Sequence, residues 1–503
     1  MIFVLTQADI SPWTNEFRKW IYCTHVSRRW RRVSLAFNHL WTSIDTTWGS
    51  IVTTFIHRSG NAPLILRMDL RPDTWWLESQ AINMALTHIS RTRELYLRVE
   101  GVEELTKIST QLLQIGLQTS LEVLDFQSGV SSFELPRDIF KQTHGSLRSL
   151  TFTNVCSPYP PALLGNITSL RIIWTQRPGS PHLVSFLDML DQCSNIVEFE
   201  FCDKMSWDPL QMDPGRWPWQ RMICLRHLRR LSLTNPPSPS VIHLLNHLSL
   251  PALHSLKISC CANDYWGIPS IQPAFTSAYD SCRVEMSKND LHVVFTHIAN
   301  PDLIMDVRLR ILQNDFDAFR SVFPDGFPLL TSLCFSFSFP TVPSEPYQTT
   351  TWISLLQSLP NLHDLKFGDL YGNGTCDQTA ATLLNALSSE PNTSGHICPK
   401  LRSVSFANIS LSPDVPMKEV DSTNARISAT GIKLGHRSVI NFNYSLWAFV
   451  ISRSRQRMRL AQLDISECQH VDDPLLESLA PYVDEILPKP HQSSSAIGKV
   501  VNQ

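Results

Sequence analysis

The chain has 503 residues, too many for one ordinary globular domain but not for a repeat array. Its 43 Lys+Arg and 45 Asp+Glu leave a formal net charge of −2, which argues against a dedicated nucleic-acid binder or a polybasic membrane protein. Hydrophobic residues at 43% suffice for a large core, and 33 prolines against 18 glycines predict many rigid turns between short elements. The 12 cysteines are scattered, with only Cys260 and Cys261 adjacent and no CxxC pair, so zinc-ligand spacing is absent and free thiols in a reducing compartment are expected. No run approaches the roughly 20 apolar residues that a bilayer span needs. The opening Met1-Ile2-Phe3-Val4-Leu5 is apolar, but it lacks a basic flank and soon meets Asp9. The expectation is a soluble intracellular protein, cytoplasmic or nuclear, with no membrane partner.

Residues 1–45 predict a small set of helices. Phe17, Trp20, Ile21 and Thr24 follow i, i+3, i+4, i+7, and Val26, Trp30, Val33 and Phe37 also share one side of a helix. Val26, Trp30 and Val33 are expected to pack inward against Phe17, Trp20 and Ile21. Arg28, Arg29, Arg31 and Arg32 fall around the remaining circumference, where they stay solvated rather than read DNA.

The run from Trp20-Ile21 through Thr24-His25-Val26-Ser27-Arg28-Arg29-Trp30-Arg31-Arg32-Val33 to Leu40-Trp41 and Ile44-Asp45 resembles the second half of an F-box. The form is that of the large F-box families of mushroom-forming (basidiomycete) fungi, with Val-x-Arg-x-Trp followed by Leu-Trp and Ile-Asp. Phe55 to Leu64, with Arg58-Ser59-Gly60-Asn61-Ala62-Pro63 inside it, is similar to the connector of those proteins. The resemblance implies that Phe3, Trp20, Ile21, Val26, Trp30, Val33 and Trp41 form the core that meets a Skp-type adaptor, and through it a cullin complex. An F-box usually opens on a Leu-Pro-x-Glu-Ile/Leu helix. Here Met1-Ile2-Phe3-Val4 resembles only its tail, so a partial F-box over 1–45 is expected, either because the true start lies upstream or because that helix is lost. Residues 46–90 read as a connector.

From residue 91 a frame of apolar-x-x-apolar-x-apolar keeps returning. It appears at Leu121-Glu-Val-Leu124-Asp-Phe126, Leu147-Arg-Ser-Leu150-Thr-Phe152, Ile196-Val-Glu-Phe199-Glu-Phe201, Leu228-Arg-Arg-Leu231-Ser-Leu233 and Leu253-His-Ser-Leu256-Lys-Ile258. Further copies centre on Leu333, Leu365, Val404 and Leu463, with weaker ones on Leu95 and Ile173. Apolar runs around Val284 and Val307 are expected to fill the gap between Leu256 and Leu333 as successive repeats. Alternation within each frame suits a short strand with one apolar side, and only stacked neighbours can bury it. The pattern resembles the leucine-rich-repeat family over about 90–470. The expected fold class is α/β: an irregular leucine-rich-repeat solenoid of short parallel strands and helices over 91–480, preceded by the partial F-box and followed by a flexible tail, 481–503. The Asn or Cys expected three residues after the last apolar position is mostly absent, with Pro236 standing there in one copy.

In such an array the strands line the concave side, and residues between the apolar positions face a target protein. Those are Glu122, Asp125, Arg148, Thr151, Glu198, Glu200, Arg229, Arg230, Ser232, His254, Lys257, His363, Lys366 and Arg402. Their charge changes sign along the chain, which suits a folded protein with complementary patches. No GxSxG, HExxH, P-loop or GxGxxG occurs, and Gly372-Asn-Gly374 reads as a turn. His243 and His247 lack a third ligand, so no metal and no cofactor is expected. Arg453, Arg455, Arg457 and Arg459 read as a solvated helix end. Together the resemblances imply a non-enzymatic substrate receptor of a Skp–cullin–F-box ubiquitin ligase, or a repeat scaffold without a ligase role.

Overall fold

A strand with one apolar side needs a partner surface for that side and a neighbour on each edge for its backbone. The structure, a computed structural model, describes residues 25, 27–71, 75–115, 120–130, 133–136, 138, 145–156, 164–175, 183–203, 222–235, 241, 244–262, 279–287, 290–311, 327, 329–338, 348–370, 376–389, 396–410, 442–471 and 473–487. The chain divides into two compact units, residues 1–254 and 255–503.

In the first unit a parallel sheet runs β1 (Ser43–Asp45), β2 (Leu64–Leu70), β3 (Thr92–Val99), β4 (Val123–Ser128), β5 (Ser149–Thr153), β6 (Ser169–Trp174), β7 (Glu198–Asp203) and β8 (Arg230–Thr234). Each pairs in register with the next. One inward row reads Ile44, Leu66, Leu95, Leu124, Leu150, Leu170, Phe199 and Leu231. A second reads Met68, Leu97, Phe126, Phe152, Ile172, Phe201 and Leu233, and every member of both rows is buried.

Helix α1 (Arg28–Ala36) precedes β1, and α2 (Ile51–Ser59), α3 (Trp75–Leu86), α4 (Val102–Ile115) and α5 (Leu183–Gln192) occupy connections between strands. In α4, Leu105, Ile108 and Leu112 lie on one side and are buried, while Glu103 and Glu104 sit in the first turn where the helix dipole favours anions.

Two expectations change here. The stretch 46–90, read as a connector, contributes β2 and two helices, so the array already begins at β1. The alternation of Leu64-Ile-Leu-Arg-Met-Asp-Leu70 carries that strand, and Gly60 (φ +55) turns the chain into it. The left-handed backbone at Gly60 is what calls for glycine there, since the nearest atom to an added Cβ is the end of the exposed Asn38 side chain, which can move aside. The copy placed on Ile173 centres instead on Leu170, the register partner of Leu150 and Phe199, which leaves Ile173 on the opposite face.

The turn residue missing from the sequence frame sits one position earlier. Asn154, Asn235 and Asn408 each follow the last apolar residue by two and adopt φ of 56°, 61° and 58°. This is the left-handed region that asparagine tolerates better than most residues. Buried Asn154 donates from Nδ2 to Ser128 O (2.9 Å) and accepts from Thr175 N (2.7 Å), stitching three neighbouring turns. Asn408 Nδ2 donates likewise to Asp369 O (2.9 Å).

The second unit opens with β9 (Ser255–Ala262). Next in the chain come β10 (Ser281–Ser287), β11 (Asp290–His297) and β12 (Asn300–Ile311), an antiparallel meander. It is β12 that lies parallel to β9, while β10 lies parallel to β13 (Ser332–Ser338). The sheet continues in parallel through β14 (Asp364–Asp369), β15 (Ser403–Ser410), β16 (Leu460–Gln469) and β17 (Val483–Leu487). Val284 and Val307 are thus not successive repeats. They share the inward row Ile258, Val307, Val293, Val284, Phe335, Phe367, Phe406, but in reversed order and with an antiparallel strand between them. Alternation has no direction, so a hairpin fills the inward row as well as a repeat does. Residues 483–487 belong to the sheet and not to a tail; residues 488–503 lie outside the described residues.

Helices α6 (Thr349–Gln357), α7 (Asp377–Ser388), α8 (Phe442–Arg455) and α9 (Asp473–Leu479) accompany these strands. Trp352 of α6 meets Phe335 at 5.2 Å between ring centroids, and Phe442 of α8 meets Phe406 at 5.0 Å.

Arg453, read from sequence as solvated, is buried at the end of α8. Its Nε donates to Met458 O (3.2 Å), Nη1 to Ile397 O (3.3 Å) and Cys398 O (3.2 Å), and Nη2 to Leu401 O (3.1 Å). Burial lowers its pKa from the usual value, and the fan of carbonyls compensates the charge. Arg453→Met strands those carbonyls and is expected to cost the second unit about 3–5 kcal/mol. The exposed Arg455→Met should change stability by less than about 0.5 kcal/mol. Urea denaturation of the two variants checks the contrast.

Candidate functional site

The side chains alternating with the inward rows form an open sheet face in each unit. In the first unit one row reads Glu94, Val123, Ser149, Ser169, Glu198 and Arg230; the next reads Arg67, Tyr96, Asp125, Thr151, Arg171, Glu200 and Ser232. Just ahead of the strands, Glu122, Arg148, Thr168, Val197, Arg229 and His254 form a rim. Its consecutive members are linked by backbone hydrogen bonds of 2.8 Å. Every expected target-facing residue of this unit lies on the face or the rim, and none is buried.

The expected alternation of acidic and basic patches is partly cancelled. Arg230 pairs with Glu198 across β7 and β8, and Arg171 Nε lies 3.0 Å from Glu200 Oε2 across β6 and β7. Adjacent rungs about 4.8 Å apart let neighbouring opposite charges meet. Asp125 accepts from Gln127 Nε2 at 3.2 Å. At the other end of the face Arg67 is buried, donates from Nη1 to Ser43 Oγ (3.0 Å), and stands 5.6 Å from the Tyr96 ring centroid. Burial lowers the Arg67 pKa; burial, and then Glu94, push the Tyr96 hydroxyl up.

In the second unit Lys257, Lys366 and Arg402 are exposed and His363 is half-buried. The meander adds a charged network that the sequence reading missed. His292 places Nδ1 3.1 Å from Glu285 Oε2 and Nε2 2.9 Å from Asp306 Oδ1. Arg283 pairs with Glu285 at 2.7 Å, and Arg308 Nε lies 3.3 Å from Asp306 Oδ1. The signal was present as charges flanking an inward valine, in Arg283-Val-Glu285 and Asp306-Val-Arg308.

The N-terminal site departs from expectation most. Ser27 caps α1 by accepting from Trp30 N at 3.2 Å, so the helix begins where its cap residue predicts. Trp30 and Val33, expected inside, are 37% and 53% exposed, as are Leu35 (40%) and Phe37 (44%). The buried member is Ser34, whose carbonyl accepts from Trp41 Nε1 at 2.7 Å. Trp41, expected at the adaptor, is itself core. It is buried with Leu40 and Ile44, meets Phe55 edge-on at 4.9 Å, and carries the Arg58 guanidinium 4.3 Å from its ring centroid. Phe3, Phe17, Trp20, Ile21 and Val26 lie outside the described residues.

Beyond the strand ends of the second unit, buried Asp369 lies near Asp377, whose Oδ1 accepts from Ser410 N at 3.1 Å. Among the described residues no group of three His, Cys, Asp or Glu is placed to hold a metal, and no helix is long and apolar enough to cross a membrane. Burial raises the Asp377 carboxyl from 3.8 to about 6; the Ser410 N–H opposes this and Asp369 adds to it. Because the folded value exceeds the unfolded one, the folded state holds the proton more tightly between them. The contribution to stability is full below about 4 and is lost as pH rises through about 6. Asp377→Asn should therefore flatten the pH dependence of urea stability between pH 4 and 6, measured against wild type.

No known family model and no curated protein matches the sequence. Among solved structures the chain is similar to the one titled "Crystal structure of TLR13-ssRNA13 complex", at 11% identity, over 85% of this chain and 42% of that one, with a TM-score of 0.23. The repeat assignment rests instead on the register and burial of this chain's own strands.

Proposed function

We propose that this chain is a substrate receptor of a Skp–cullin–F-box ubiquitin ligase, with α1 meeting the adaptor and the open sheet faces meeting a target protein. The observation that carries the reading is the set of exposed apolar residues on and just after α1, Trp30, Val33, Leu35 and Phe37, next to a motif that resembles an F-box. Exposed clusters of this kind mark interaction surfaces more often than solvated ones. The buried half of the motif, Leu40, Trp41 and Ile44, ties α1 to the start of the sheet, so a partner held there is fixed relative to the first open face. In this reading the chain performs no chemistry. Ligation belongs to other subunits, and no cofactor is required.

A scaffold without a ligase role would use the same open faces and need no adaptor. Co-expression with a Skp-type adaptor decides between them: a stoichiometric complex supports the receptor, and its absence selects the scaffold. Within the receptor reading, Val33→Ala is expected to weaken co-purification while changing stability by under about 0.5 kcal/mol, as exposed positions do. Trp41→Ala should instead lose about 3–5 kcal/mol, the usual cost of emptying a buried tryptophan site. Thermal melts beside the pull-down separate these effects.

A further inference from the structure

We propose that the rim at the β8 end of the first unit binds an acidic segment of a partner protein. This rests on the reading of the open face as target-binding, and it adds the partner's chemistry and the place of contact. Cross-strand pairing neutralises the interior of that face: Arg230 is matched by Glu198 and Arg171 by Glu200. Charge is left over on the rim. Arg226, His227, Arg229 and His254 are all exposed, and among the described residues no carboxylate pairs with Arg226 or Arg229.

Arg229 and His254 occupy consecutive rungs, joined by the 2.8 Å bond from His254 N to Arg229 O. The His254 ring is oriented by Nδ1 donating to Ala252 O at 2.6 Å. Arg229 has its backbone fixed by the rim bonds, Arg226 stands three residues before it in the chain, and each has a guanidinium able to take a carboxylate bidentately. Single-stranded nucleic acid fits less well, because residues 222–235 and 244–254 contain no Phe, Tyr or Trp on which bases could stack.

The test is fluorescence anisotropy of the full chain with a labelled oligoglutamate peptide, compared with a Gly/Ser peptide and with oligothymidylate of the same charge. Wild type should bind oligoglutamate, weakening as salt shortens the screening length toward about 10 Å at 0.1 M. Arg226→Glu with Arg229→Glu should weaken it by about tenfold or more, while Lys400→Glu, an exposed position off both faces, should leave it unchanged. Arg226→Gln with Arg229→Gln gives the same reading if charge reversal harms folding. The proposal is overturned by no wild-type binding, by equal loss with Lys400→Glu, or by tighter binding of oligothymidylate. A photo-crosslinker at Thr151 separates this from the broader reading. Protein capture there without oligoglutamate binding removes the acidic segment and leaves target binding on the face standing, whereas failure of both removes the two together.

Discussion

The whole architecture depends on cross-strand register. No strand in either sheet can bury its apolar side alone, and each is stable only because the next places the same kind of residue on the same rung. In the first unit this gives the unbroken run Leu95, Leu124, Leu150, Leu170, Phe199 and Leu231. A slip of one residue would turn such a row outward, so register and core are one constraint. The same rule sets the open face, because whatever alternates with the inward row must share a rung with its neighbours. The pairing of Arg230 with Glu198 follows from that geometry rather than from proximity in sequence.

Register also explains how the second unit tolerates a reversal. The meander β10–β12 inverts strand order and introduces antiparallel pairing, yet Val284, Val293 and Val307 keep the inward row continuous between Ile258 and Phe335. The backbone between rungs must still be satisfied, and polar side chains do this inside the turns. Asn154 and Asn408 bond to preceding turns. Arg453 gathers the carbonyls of 397, 398 and 401, and Arg91 reaches Ala62 O (2.8 Å) and Ser59 Oγ (3.1 Å) in the same manner. Arginine suits this task because one planar group donates in several directions.

Most of the inward rows were legible as apolar-x-x-apolar-x-apolar, since that spacing is the physical requirement itself. Strand direction was not, because a period of two reads the same both ways, and the meander therefore passed for ordinary repeats. The first strands were missed because Ser43-Ile-Asp45 offers a single apolar residue and β2 lacks the leading Leu-x-x. The asparagine turns were overlooked because they stand two residues after the last apolar position instead of three. At the N-terminal site, helical spacing identified the apolar side of α1 but not its direction. The hydrogen bond from Trp41 to the Ser34 carbonyl joins α1 to the core through a residue outside the apolar spacing, which spacing does not encode. The residues read as target-facing are not buried, but their pairing required knowing which strands adjoin.

The proposed functional reading grows from the same constraint: a fixed face in each unit, cancelled charge within the first, and a helix with exposed apolar residues held near its C-terminal end by Trp41. Cysteine pairs on the open face test the register most directly. Asp125 and Thr151 are register partners, so their Cα atoms should lie about 4.8 Å apart, within disulfide reach. Asp125 and Thr153 are two residues out of register and about 8 Å apart, beyond it. Mild oxidation should close the intramolecular disulfide in the Asp125→Cys/Thr151→Cys chain and not in the Asp125→Cys/Thr153→Cys chain, read by a gel shift on reduction. Equal crosslinking of the two pairs, or preference for the second, would contradict the register on which this account stands.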